Sequence, residues 1–447
     1  MRCGKFLAKV RSVLALIAFT TLLVPIIILL NRRPSILTRN YQQINFQITT
    51  RIPGSFLKNY PVSNQSFCKF NYGLPEKFNY KKEDIKFGAE LGEKGAYRVV
   101  YNVIDARKSS LLTVPLTYAS HASIEFVNYI SEIAIKWDGP ISLAMFVPDA
   151  DAEIAINQLV TLCQCLPDMS RVSVHFIFPL KHPPYIPSLS SSSKNTFTPI
   201  TSCSLKDTST QITFRSRNQL PYPVNVCRNS AKLAAKTQFI LVSDVELIPS
   251  DQLATKFFLM VNQLKEKKRV ENPSAVYVVP VFEIERYEKI PGSKSELLEL
   301  IKDEKAVYFH RHICFHCQKF PGLQHWLQND PGDIIKPLTV TKREYPLHRW
   351  EPIYIGRKTD PLYSEALSWE GKQDKMTQML EMCLIGYKFV ILDGAFLVHW
   401  PGIKRKSIEM KLRNKWRSPY LLQNSRQYSV IINELFNKHK KTKNTKC

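Results

Sequence analysis

Two acidic residues one position apart, Asp244-Val245-Glu246, stand just after a four-residue apolar run, Phe239-Ile240-Leu241-Val242. Paired hard oxygen donors suit Mg²⁺ or Mn²⁺, which would bridge a diphosphate and neutralise charge growing on a leaving nucleotide. In an extended chain, positions i and i+2 project to one face, so the two carboxylates would converge. The same triplet also occurs as an acidic cap on an ordinary strand, since D-x-E is common. A second constellation is Cys314-x-x-Cys317, crowded by His310, His312, His316 and His325. It has the flavour of a zinc site, but the second Cys pair or spaced His pair that closes one is missing. A short disulfide, or two separately bonded cysteines, is the expected state in an oxidising compartment.

The elements that must position these residues alternate. Tyr97–Ile104 and Leu112–Thr117 read as strands, His121–Trp137 has helical spacing, and Ile141–Val147 returns to a strand. Ala152–Leu166 is helical, Val172–Phe178 a strand, Val226–Lys236 helical, and Phe239–Val242 a buried central strand with Asp244 and Glu246 at its C-terminal end. Strands alternating with helices of this length indicate an α/β fold with a mostly parallel central sheet. Ligands bind such sheets outside the carboxyl ends of the strands, which is where the acidic pair falls. Pro183–Asp207 is Ser/Pro-rich and reads as a surface excursion; the chain after Val276 is more mixed and is expected to build the acceptor side of the same unit.

Composition bounds the class. The 447 residues are 44% hydrophobic with 28 Pro and 15 Gly, enough for a large core and unlike a fibrous or disordered chain. Lys+Arg exceed Asp+Glu by 62 to 38, giving a formal charge of +24. Residues 404–447 carry thirteen Lys/Arg against Glu409 and Glu434, so this segment alone supplies +11. No zinc-finger spacing, aromatic RNA-binding motif or recognition helix accompanies it, so no nucleic-acid partner is expected. A solvated basic face near anionic lipid or glycan fits better.

Ser12–Leu30 has no charged residue and is mostly Val, Leu, Ile, Ala and Phe, with four cations before it and Arg32 and Arg33 after. That length spans a thin bilayer, and no small-x-small cleavage site follows, so an uncleaved anchor is expected rather than a signal peptide. The expected organisation is a cytosolic tail (1–11), a transmembrane signal anchor (12–30), a lumenal stem (31–86), a catalytic domain (87–403) and a basic C-terminal segment (404–447). Nine of ten cysteines lie beyond the anchor; several should be paired, and the odd number leaves at least one unpaired within the chain. Asn64-Gln65-Ser66 is the one acceptor sequon, Asn272-Pro273-Ser274 being blocked by its proline.

A series of segments carries a resemblance: Tyr97-Arg98-Val99, His121-Ala122-Ser123, Trp137-Asp138-Gly139-Pro140, Cys165-Leu166-Pro167-Asp168-Met169, and Tyr222 to Asn229. It continues through the strand ending at Glu246, Val279 to Ile284, Ser293 to Leu297, Trp350-Glu351-Pro352 and Phe396-Leu397-Val398-His399. In order and spacing these resemble the beta-1,4-glucuronyltransferase family, related to the second catalytic domain of the LARGE xylosyl- and glucuronyltransferases. The resemblance implies a GT-A-like fold, a divalent metal (Mn²⁺ or Mg²⁺), a UDP-sugar donor (UDP-glucuronate) and single-pass type II residence in the Golgi membrane. It implies inverting transfer of glucuronic acid onto a xylose-terminated O-mannosyl-type glycan of a glycoprotein such as dystroglycan. A homo-oligomer, or a complex with another glycosyltransferase, stays open.

Carried over position by position, Asp244 and Glu246 occupy the D-x-D metal site, and His399 matches the histidine completing the metal shell. Arg228 and Asn229, on the helix leading into the strand, and His121 and Ser123, in the loop after the first core strand, match candidate nucleotide contacts. An inverting enzyme needs a base for the acceptor hydroxyl: Glu351 and Asp374 are the candidates, with Glu283 behind them, and each also fits a structural carboxylate. Lys294 is the candidate cation for a glucuronate carboxylate or diphosphate. Two departures stand out: Glu246 replaces the family's usual Asp, and Asp374-Lys375 replaces Asn followed by Lys or Arg. Transfer of another UDP-sugar (N-acetylglucosamine or xylose) and a catalytically silent lumenal glycan-binding or partner protein are the competing readings.

Overall fold

The computed structural model describes residues 52–106, 114–186, 200–208, 211–267, 274–406, 417–440 and 446–447. The expected cytosolic tail and membrane anchor lie outside the described residues; among those described, no helix is long and apolar enough to cross a membrane. Residues from Thr50 to Cys447 form one compact unit.

Along that unit the strands run β1 (Lys69–Phe70), β2 (Ile85–Phe87), β3 (Tyr97–Asp105), β4 (Leu116–Ser123), β5 (Ile141–Phe146), β6 (Val172–Pro179) and β7 (Phe239–Val242). They continue as β8 (Leu247–Pro249), β9 (Ala275–Val278), β10 (Val281–Ile284), β11 (Ala306–Tyr308) and β12 (Lys336–Thr341). The last three are β13 (Tyr354–Arg357), β14 (Lys388–Asp393) and β15 (Leu397–His399). The principal helices are α1 (Tyr129–Lys136), α2 (Asp151–Cys165), α3 (Val224–Ala234), α4 (Leu253–Glu266), α5 (Lys294–Lys302), α6 (Met376–Leu384) and α7 (Ser418–Lys438).

Every residue of β4, β5 and β7 is buried, as strands covered on both faces require, and β6, β5, β4 and β7 pair in parallel. Apart from the parallel pair β9–β14, the rest of the large sheet departs from the expected mostly parallel arrangement. It runs β1-β3-β6-β5-β4-β7-β13-β9-β14-β12, with β2 also on β3. β13 lies antiparallel to both β7 and β9, and β3 and β12 are antiparallel to their neighbours. An apolar run records that a strand is buried but not the direction of its partner, which depends on where the connecting chain returns. A second, four-stranded sheet, β11-β10-β15-β8, stands beside the first.

Two expected boundaries are corrected. The helix read from His121 begins only at Tyr129, because β4 continues through Ser123, paired to Phe146 of β5. The described part of the expected stem belongs to the body: β1 and β2 pair with β3, Leu57 is fully buried, and Cys68 is bonded to Cys163. The described part of the basic C-terminal segment also packs on the body. Leu435 of α7 packs on Leu380 and Leu384 of α6, and Cys383–Cys447 staples the chain end to that helix. Buried Asn424 clamps the loop ahead of α6: its amide donates to the Ser368 and Lys372 carbonyls at 2.9 and 2.8 Å, and its oxygen accepts from the Ser368 N–H. Cys165–Cys203 and Cys314–Cys317 are the other disulfides, and Cys227 is free and buried, as the odd count requires.

Candidate active site

The chain turns as soon as β7 ends. The Leu247 N–H donates to the Asp244 carbonyl at 3.0 Å, so Asp244 and Glu246 sit on a tight turn between β7 and β8, not on one face of an extended strand. The i, i+2 expectation fails for that reason, and the two carboxylates face different partners.

Asp244 is ringed by donors. Its Oδ1 lies 2.9 Å from Arg228 Nη2 and 3.1 Å from His121 Nε2, and Oδ2 lies 3.5 Å from Lys375 Nζ. Burial opposes ionisation of Asp244, but Lys375, Arg228 and His121 outweigh it and hold the carboxyl well below its usual value. Because the ionised Asp244 only accepts, His121 donates through Nε2 and accepts a hydrogen bond from the Tyr222 hydroxyl at Nδ1, 2.8 Å away. Burial keeps that imidazole neutral.

The other end of the Arg228 guanidinium pairs with Asp374, whose carboxyl is also lowered, Arg228 and Lys375 overriding burial. Arg228 is 2% exposed and couples two carboxylates that are themselves only partly buried. Asp244 and Asp374 against Arg228 and Lys375 make a balanced quartet, which is how buried charge is tolerated.

Glu246 instead faces His399 at the end of β15, Oε2 to Nε2 3.8 Å. Burial is again overridden, here by His399 and Lys404, and the Glu246 carboxyl is lowered. Neither ring nitrogen of buried His399 has a partner within 3.5 Å at hydrogen-bond geometry, the Glu246 carboxylate lying just beyond that reach. Two unfilled nitrogens on a buried imidazole are costly, and a neutral ring beside an ionised carboxylate is the donor set of a cation. Asp244, Glu246 and His399 therefore fit a divalent ion in chemistry, although they are not gathered at ligand spacing. Among the described residues, ligand atoms within 4.8 Å of one another occur together at Cys314, His316 and Cys317, and that cysteine pair is a disulfide with no thiolate to offer.

The remaining candidates divide. Glu351 lies near the quartet and feels the charges of Lys375, Asp374 and Arg228; burial, the largest influence, raises its carboxyl. Its backbone N–H donates to the Cys317 carbonyl at 2.9 Å, so the short disulfide loop helps carry it. Asp374 is committed to Arg228, which removes it as a base. Burial pushes Glu283 up to about 7, and Glu283 accepts from the backbone N–H groups of His310 and Lys404 beneath His399.

Asn229 is not at the ligand face. Its amide donates to the Tyr363 carbonyl and Glu365 and accepts the Tyr363 N–H, fixing the loop after β13. His121 is likewise a positioning residue whose ring nitrogens are both engaged, and Ser123 is buried in β4 rather than in a loop. Lys294 is not brought to the site: its ammonium binds Asp393 and the Asn329 carbonyl and covers the Trp326 ring. A capping-box serine ahead of it starts α5, and that helix aims the lysine into the core. Lys375, Tyr222 and Lys404 were not foreseen as site residues. The sequence signals that pointed there were the place of Tyr222 at the head of the Tyr222–Asn229 segment and the adjacency of Lys375 to Asp374.

Fold and site together define an α/β protein in which the carboxyl end of a central strand holds an acidic turn among fixed cations, a centre suited to a metal-chelated polyanion. Residues 115–440 match the family model described as glycosyl-transferase for dystroglycan, and the chain belongs to that family. It is 27% identical over 320 residues to beta-1,4-glucuronyltransferase 1 of Bos taurus, covering 70% of this chain and 73% of that protein. Against the same enzyme of Danio rerio it is 26% identical over 363 residues, covering 76% and 81%. Similarity extends to xylosyl- and glucuronyltransferase LARGE1 of Homo sapiens, 23% identical over 325 residues, 72% of this chain and 34% of that one. By family, the protein is a glycosyltransferase.

Proposed function

We propose that this glycosyltransferase has a GT-A-like fold and moves glucuronic acid, with inversion, from UDP-glucuronate to a xylose-terminated O-mannosyl-type glycan on a glycoprotein. Its body would be lumenal, anchored in the Golgi membrane by Ser12–Leu30. The observation that carries the reading is the Asp244 cluster on the same turn as Glu246, which faces buried His399. Four disulfides and an exposed Asn64 support an oxidising, glycosylating lumen.

Asp244, Glu246 and His399 would hold Mn²⁺ or Mg²⁺, which supplies Lewis-acid stabilisation of the leaving diphosphate. The chain's own residues do the rest. Lys375 and Arg228 provide cationic donors for phosphate or the glucuronate carboxylate, pre-oriented by Asp244 and Asp374. Tyr222 and His121 hold the Asp244 carboxylate in place. Glu351, whose raised carboxyl strengthens it as a base, takes the proton from the attacking acceptor hydroxyl. Attack on the face opposite the departing UDP gives a β product from an α-linked donor.

A donor screen on the full-length protein with UDP-sugars and Mn²⁺ tests this. Transfer from UDP-glucuronate to a xyloside, abolished in Asp244→Ala and His399→Ala, supports it. Preference for UDP-N-acetylglucosamine or UDP-xylose would move the donor assignment. Failure to bind UDP with Mn²⁺ present would sink the enzymatic reading of the site.

A further inference from the structure

A cavity of about 530 Å³ opens beside the site, lined by Arg215, Ser216, Gln219, Trp369, Glu370 and Tyr420 among others. That volume falls in the range of about 300–1,000 Å³ typical of small-molecule sites. Three features say what would fill it. First, the cation in its lining is already paired: Arg215 lies 3.1 Å from Glu370 and 3.7 Å from Glu125. Second, it presents aromatic surface on a rigid mount. Trp369 is 40% exposed, yet its backbone N–H donates to the Tyr222 carbonyl at 3.4 Å and the Arg417 guanidinium lies 3.9 Å from its ring. An exposed, immobilised indole beside hydroxyl and amide groups suits the apolar ring face and polar rim of a sugar.

Third, the cavity is wired to the catalytic cluster. Glu370 accepts the Tyr222 N–H at 3.0 Å, and the Tyr222 hydroxyl meets His121, which holds Asp244. The stretch 369–375 supplies Trp369 and Glu370 to the cavity, Asp374 to Arg228 and Lys375 to Asp244. The Tyr222 residue stands between the two, so an occupant would sit next to the reacting sugar rather than in its place.

We propose that this cavity is an extended acceptor subsite that holds a neutral sugar unit one or more residues from the attacking hydroxyl, with Trp369 as its stacking platform. The assignment rests on the glycosyltransfer reading above, and its test separates the two. With the full-length protein, Mn²⁺ and UDP-glucuronate, KM is compared for methyl β-xyloside and for a xylose-terminated oligosaccharide. Trp369→Ala should raise KM for the oligosaccharide about tenfold, equivalent to about 1.4 kcal/mol. The xyloside KM, kcat and UDP affinity should hold, and Trp369→Tyr, which keeps a stacking ring, should restore the oligosaccharide KM.

A binding arm without donor, saturation-transfer NMR of the oligosaccharide on wild type, Trp369→Ala and Trp369→Tyr, decides the matter even if UDP-glucuronate is not the donor. Loss of the signal in the alanine variant alone, with its melting temperature unchanged, supports the subsite. Unaltered oligosaccharide binding in Trp369→Ala overturns it. So does a fall in UDP affinity in that variant, which would make the cavity the nucleobase site.

Discussion

Replacing Arg228 by Gln probes the quartet most directly. The guanidinium is 2% exposed and touches Asp244 at 2.9 Å and Asp374 more closely still, while those carboxylates are 31% and 16% exposed. Unit charges about 4 Å apart interact by about 4 kcal/mol at an effective dielectric of about 20. Partial exposure of Asp244 weakens one arm, but deleting the arginine leaves two acids facing each other with Lys375 alone to serve both. Breaking a buried pair from one side costs about 3–5 kcal/mol, and that is the expected loss of stability. The double variant Arg228→Gln/Asp374→Asn should recover at least 1 kcal/mol of it, because it removes the stranded charge together with its partner. Chemical denaturation of wild type, both single variants and the double variant gives the coupling directly. Mn²⁺ should stabilise Arg228→Gln more than wild type, since the freed Asp244 is a better ligand. An additive cycle, or an Arg228→Gln protein as stable as wild type, would falsify the view that these charges form one unit.

Other perturbations have defined outcomes. Glu351→Gln should lower kcat by about 100-fold or more while leaving UDP affinity intact. In wild type, kcat should rise with pH through a midpoint above the usual carboxylate range, because burial raises that group, and the variant should lose this limb. His175, which accepts the Asn102 N–H and joins Ser142, is pushed down to about 3 by burial, from an ordinary 6.5. A folded pKa below the unfolded one gives stability that is fully present above about 6.5 and lost as pH falls toward 3, here at most roughly 4–5 kcal/mol. Melting temperature followed from pH 7.5 to 4.5 should show a drop that His175→Gln flattens. At Gly371 a side chain would collide with the Asn424 amide. Gly371→Ala should therefore lower the melting temperature, with Asn424→Ala relieving part of the penalty in the double variant.

The legible and illegible parts divide along a physical line. The buried strands β5, β6 and β7 and the helices α2 and α3 follow from local apolar pattern, since a strand covered on both faces is mostly apolar whatever surrounds it. The direction of β13 and the end of β4 at Ser123 depend on partners far along the chain, and periodicity misread the latter as helix. Among site residues, Arg228 was offered only as a nucleotide contact, and the pairing of α3 with the end of β7 that brings it to Asp244 was not legible. Lys294, by contrast, is cationic and near a helix start, features shared by ligand-binding and core-anchoring lysines alike; its partner Asp393 is 99 residues away and decides which it is.

By itself, then, the sequence determined the alternating α/β core, the place of the acidic turn after a buried strand and the odd cysteine; it alone carries the expectation of a membrane anchor. Tertiary structure decided the rest. It turned Asp244 toward Arg228 and Glu246 toward His399, tied Asp374 to the interior, and drew the C-terminal helix over the loop that bears Lys375. The reason is that burial follows from composition along a few residues, whereas the charge state and task of a carboxylate follow from whichever groups the folded chain brings within a few ångströms of it.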